Sequence, residues 1–72
     1  MKIQNWETIP DEQYENIYQQ SLKLTPFKTS DSLHVYEEQY EIAGDVYRFI
    51  SEVGGDVGDI QLIQKIIEEF EI

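Results

Sequence analysis

The sequence predicts an all-α fold, a three-helix bundle with a long central helix. Three amphipathic segments separated by short breaks account for nearly all of the chain. The middle one, Leu33 to Val53, sorts most cleanly when wound at ~100° per residue. His34, Glu37, Glu38, Glu41, Gly44, Asp45, Arg48 and Glu52 then share one arc, and Leu33, Val35, Tyr36, Tyr40, Ile42, Ala43, Val46, Tyr47, Phe49, Ile50 and Val53 share the other, with only Gln39 out of place and Ser51 near the boundary. The third observation is size: 72 residues without a cysteine allow one small domain, residues 1–72, held by packing rather than by disulfides or thiolate metal sites.

Residues 1–9 read as an N-terminal arm ahead of the first helix, which spans about 10–24. Thr8-Ile9-Pro10-Asp11 is a start signal, with Thr able to cap, Pro tolerated in the first turn and Asp near the positive helix end. Tyr14, Ile17, Tyr18, Ser21, Leu22 and Leu24 share its apolar side, and Pro26 stops it.

The central helix, about 31–53, starts in the potential caps Thr29-Ser30-Asp31-Ser32 and ends at Gly54-Gly55. A β-hairpin turning at Gly44-Asp45 is the competing reading. It lacks strict alternation, because Val35, Glu37, Gln39 and Glu41 face Tyr36, Glu38 and Tyr40 without an apolar and a polar side. The helical sorting therefore prevails. The third helix, about 57–70, groups Ile60, Leu62, Ile63, Ile66, Ile67 and Phe70 opposite Gln61, Gln64, Lys65, Glu68 and Glu71. At 1.5 Å per residue the central helix is ~32 Å long and overhangs its ~20 Å neighbours. Ile3, Trp6 and Ile9 of the arm are expected to cover the overhang, or a second copy of the chain does so in a homodimer.

Fifteen acids against five bases give a formal net charge of −10, which disfavours direct contact with nucleic acid or an anionic membrane and favours a basic protein surface. No apolar run is long enough to cross a bilayer as a helix, and a cytoplasmic location is expected. The candidate partner-binding residues are Glu37, Glu38, Glu41, Asp45 and Glu52 on the acidic arc, joined by Asp56 and Asp59 beyond it. Like charges four apart on a helix repel by a few tenths of a kcal/mol, a cost that function would explain. Imitation of nucleic acid would need more carboxylates than that arc holds, since duplex DNA carries one charge per ~1.7 Å.

Neither an enzyme nor a cofactor or metal site is expected. His34 is the only histidine and has no evident nucleophile, since Ser30 and Ser32 suit caps better. The Gly54–Asp59 loop has two aspartates and no lysine, unlike a phosphate cradle, and fits no calcium-loop register. The expected function is a small acidic protein-binding module, an inhibitor or antitoxin- or immunity-like protein that covers a basic, nucleic-acid-binding surface. The alternative is a homo-oligomeric helical module of structural or regulatory duty, with an acidic surface that only confers solubility.

Overall fold

Backbone φ angles of 53° at Ala43 and 86° at Gly44 reverse the chain in the middle of the segment expected to be one long helix. Two consecutive left-handed residues make the type of two-residue turn whose twist matches a β-hairpin. The computed structural model describes residues 1–52 and 60–72. It corrects the three-helix bundle to an antiparallel five-stranded sheet with one helix on one face.

The elements run β1 (Lys2–Thr8), α1 (Asp11–Ser21), β2 (Lys28–Asp31), β3 (Val35–Ile42), β4 (Asp45–Glu52) and β5 (Ile60–Glu71). In space the strands lie β1-β5-β4-β3-β2, every neighbour antiparallel. β1 and β2 are therefore the two edges, and α1 carries the chain from one to the other.

Among the described residues only the first expected helix is present, and it is shorter than the expected 10–24. Pro10 is its N-cap, with φ −61° and ψ 147°, and no side chain caps it, so Thr8 does not have the role expected of it. Asp11 and Glu12 in the first turn complement the positive end of the helix. Tyr14, Ile17, Tyr18 and Ser21 recur at helical spacing and face the sheet. Ile17 and Ser21 are buried, and the buried Ser21 hydroxyl is satisfied by donating to the Tyr18 carbonyl at 2.6 Å. Leu22 and Leu24, expected on that apolar side, are exposed because the helix ends before them.

The expected central helix, 31–53, is instead the end of β2 and the hairpin of β3 and β4, paired from Ile42↔Asp45 to Val35↔Glu52. Val, Ile, Tyr and Phe crowd this stretch and pack well on a pleated surface. The hairpin turns at Ala43-Gly44, one residue before the Gly44-Asp45 of the competing reading. The four expected caps are not caps of a helix: Thr29, Ser30 and Asp31 pair with β3, and Ser32 closes the β2–β3 turn. Its backbone N–H and hydroxyl both donate to the Val35 carbonyl at 2.9 Å. From residue 60 onward the expected third helix, 57–70, is β5, paired with β4 on one side and β1 on the other, and its first three residues lie outside the described ones. The Gly54-Gly55 stop lies outside the described residues.

Alternation is interrupted where β5 carries extra residues. Asn5 pairs with Glu68 but Trp6 with Ile66, leaving Ile67 as a bulge, and a second irregularity separates Ile50↔Leu62 from Ser51↔Ile60. The core lies between α1 and the sheet and comprises Ile9, Ile17, Tyr40, Ile42, Tyr47, Phe49 and Ile63. Tyr14 and Tyr18 flank it with rings stacked 6.4 Å apart. Of the arm expected to cover a helical overhang, Ile9 enters this core, whereas Trp6 lies on the opposite face of the sheet. Among the described residues no helix is long and apolar enough to cross a membrane.

Candidate functional site

Strand alternation assigns every side chain of the sheet to the helix side or to the helix-free side. Tyr40, Tyr47, Phe49 and Ile63 are buried against the core, so their strand neighbours point the other way. The helix-free face thus carries Trp6, Val46, Arg48, Ile50, Leu62 and Ile66, all half-buried although among the described residues no second layer covers them.

At its centre the Arg48 guanidinium lies 4.2 Å from the centroid of the Trp6 ring. The same guanidinium donates to the Gln64 side-chain oxygen from Nε at 3.0 Å and also from Nη2. Three adjacent strands are linked by this cluster: Arg48 from β4, Gln64 from β5 and Trp6 from β1. Grouped with the acids on one helical arc by its spacing, Arg48 instead stacks on an aromatic ring.

The acidic residues divide by strand parity. Glu37 and Glu41 project on the helix-free face, opposite Ile50 and Val46, and Glu52 joins them opposite Val35. Glu38 and Asp45 project on the helix side. There Glu38 accepts a hydrogen bond from the Tyr40 hydroxyl, and Asp45 pairs with Lys65 at 3.4 Å. The single acidic arc is therefore corrected to two groups on opposite faces, with Asp56 and Asp59 outside the described residues. The expected helical repulsion also disappears. Four strand residues span ~13 Å, more than a Debye length at physiological salt, so Glu37 and Glu41 are screened from one another.

Glu68, Glu69 and Glu71, within or beside the stretch expected to be the third helix, lie on β5 instead. Lys2 Nζ lies 3.1 Å from Glu69, and the Gln4 side-chain amide donates to the same carboxylate at 3.1 Å. These two hydrogen bonds, that from Lys2 foremost, hold the Glu69 carboxyl below its ordinary pKa. Because Lys2 and Gln4 alternate with Asn5 along β1, Glu69 belongs to the helix-free side with Glu71, whereas Glu68 accepts from Asn5 on the helix side. The helix-free face accordingly has an apolar and aromatic centre, with Glu37, Glu41 and Glu52 along one margin and Glu69 and Glu71 at another. A signal for this face was present in the sequence: Leu62, Gln64 and Ile66 alternate with Ile63 and Lys65, as in a strand with apolar residues on both faces.

On the helix side a cavity of about 220 Å³ opens beside the start of α1, between Ile9, Gln13 and Lys65. It is below the ~300 Å³ at which small-molecule sites begin. His34 is exposed at the β2–β3 turn, where the Ser32 hydroxyl is engaged with Val35. Among the described residues no group of three or more His, Asp or Glu is placed to hold a metal ion. Comparisons with protein-family models, curated proteins and solved structures find no match to this chain.

Proposed function

We propose that this chain is a small acidic protein-binding module that covers a basic surface of a partner protein, in the manner of an inhibitor, antitoxin or immunity protein acting in the cytoplasm. The observation that carries this reading is the helix-free face. A half-buried apolar centre with a tryptophan anchor, flanked on two margins by carboxylates with Lys2 and Lys28 at the edges, has the anatomy of a protein interface core and its polar rim. Its scale also suits the task. Molecular extents of 38 × 28 × 22 Å give the sheet a footprint comparable to the ~800 Å² that each partner contributes to a standard interface. The carboxylates would steer encounter, and Trp6 and the aliphatic residues around it would supply affinity. A homo-oligomer is disfavoured at this face because two copies would bring acidic margins together at a net charge of −10 each.

The test is Glu37→Lys combined with Glu41→Lys. Neither residue lies in the core, and a long side chain at either position can reach water, so the sheet should persist by circular dichroism. A basic protein retained by the unaltered chain at low salt should be lost from the double variant. With that protein purified, association should slow at least tenfold and depend less on salt. Where the partner surface normally holds DNA or RNA, added nucleic acid should compete. An unchanged association rate with an intact sheet would show that the acidic margin is only a solvated surface.

A further inference from the structure

The ladder between β1 and β5 runs further than the sheet does. Pairing of β4 with β5 begins at Tyr47↔Lys65, and β4 turns away at Ala43-Gly44. Pairing of β1 with β5 continues four more steps beyond the bulge, from Asn5↔Glu68 to Lys2↔Glu71. Glu68–Glu71 therefore form half of a two-stranded ribbon, and among the described residues no strand pairs with the side of β5 that faces away from β1.

The hydrogen-bond phase shows which groups are free. The Ile72 backbone N–H donates to the Met1 carbonyl at 2.9 Å, so this pair is of the hydrogen-bonded kind. Such pairs alternate with non-bonded ones along an antiparallel ladder. Phe70 consequently bonds to Ile3, whereas the N–H and C=O of both Glu69 and Glu71 point away from β1 into the open slot. Phe70 and Ile67 are 43% and 57% exposed, so apolar surface accompanies the free edge.

We infer that this edge is a strand-addition site for a basic extended segment of the partner, which extends the sheet in line with β4. The inference rests on the acidic-module reading and specifies how the partner engages. An incoming strand would bond to the free groups of Glu69 and Glu71. Its residues opposite those two share their face, where Lys or Arg is favoured, and the residue between them meets Phe70 on the other face, where an apolar side chain is favoured. The recognised pattern is thus basic–apolar–basic. A second copy of this chain is the wrong occupant. Antiparallel pairing of two such edges about Phe70 sets Glu69 opposite the Glu71 of the other copy, and like charges directly opposite destabilise a ladder.

The probe is a capped peptide alternating Lys and Val, compared with the same peptide N-methylated at alternate residues so that charge is kept and edge-facing donors are lost. In the free protein the Glu69 and Glu71 amides should exchange rapidly while that of Phe70 is protected. The unmodified peptide should protect Glu69 and Glu71 and bind at least tenfold more tightly than the methylated one. Equal affinity for the two peptides overturns strand addition and leaves the acidic-module reading standing, because that reading is judged by the Glu37→Lys/Glu41→Lys association rate. Absence of binding, or peptide shifts centred on Trp6 and Ile50, also overturns it. So does protection of Glu69 and Glu71 that grows with protein concentration alone.

Discussion

The Arg48 guanidinium stacks on Trp6, 4.2 Å from the ring centroid, on the sheet face opposite α1. Since the guanidinium also binds Gln64, it couples three strands through one side chain. Cation–π pairs are worth ~0.5–1 kcal/mol at exposed sites and ~2 kcal/mol when desolvated. A double-mutant cycle of Arg48→Ala and Trp6→Ala in urea should therefore give a coupling energy of ~0.5–1 kcal/mol. Arg48→Lys should recover little of it, because lysine lacks the planar fork that stacks and binds Gln64 at once. Additive single-variant effects would show that the contact is incidental.

The β3–β4 turn places a non-glycine residue, Ala43, at φ 53°. Asparagine tolerates that region better than alanine, and Asn-Gly is the favoured pair for this turn. Ala43→Asn should raise stability by ~0.5–1 kcal/mol. Gly44→Ala should lower it by ~1 kcal/mol through backbone strain alone, since an added Cβ would meet nothing within 4 Å. The urea midpoints should shift in opposite directions.

Ile63 is the most deeply buried side chain, 1% exposed between Phe49 and the helix-side core. Ile63→Val should cost ~0.5–1.5 kcal/mol, and Ile63→Ala ~2–5 kcal/mol. In a domain this small the larger loss approaches the whole stability. The alanine variant should lose its near-ultraviolet circular dichroism at room temperature while the valine variant keeps it.

Stability should have both an acid and an alkaline limb. The Glu69 carboxyl is held below its ordinary 4.5, so its contribution is present above that pH and is lost as pH falls through the lower folded value. Glu69→Gln should flatten the acid limb. Burial, and then the hydrogen bond to Glu38, raise the Tyr40 hydroxyl above its ordinary 10.0, which favours the neutral form in the folded state. That contribution is present below pH 10.0 and is lost as pH rises toward the folded value. Tyr40→Phe should flatten the alkaline limb, at the cost of one hydrogen bond near neutrality. A variant as sensitive to alkali as the parent would show that another group governs it.

The legible and illegible parts of this fold have separate causes. The stripe Tyr14, Ile17, Tyr18 and Ser21 was readable because α1 covers one face of a sheet and is amphipathic at a single period. β4 was not readable, since it buries Tyr47 and Phe49 on one side and half-buries Val46 and Ile50 on the other, which erases alternation. In β5 the bulge at Ile67 sets two apolar residues side by side and imitates a helical pattern. The acidic site was half legible for a geometric reason. A spacing of four is in phase with both a 3.6-residue and a 2-residue period, so Glu37 and Glu41 share a face in either structure. Glu38 has no such coincidence, and beyond them the Ala43-Gly44 turn resets the phase before Asp45.

The β1–β5 ladder has a consequence for the order in which this chain folds. The β2–β3 and β3–β4 hairpins close over a few residues, whereas Lys2↔Glu71 joins positions near opposite ends of the sequence. Closing so long a loop costs chain entropy before its contacts repay it, and distant pairings slow folding. The local hairpins should therefore assemble early and serve as the template on which β5 and then β1 dock. The Glu68–Glu71 ribbon, supported by β1 alone, should be the last segment to zip and the first to fray. A partner strand added there would lengthen the lifetime of the whole folded chain, coupling occupancy to resistance against proteolysis.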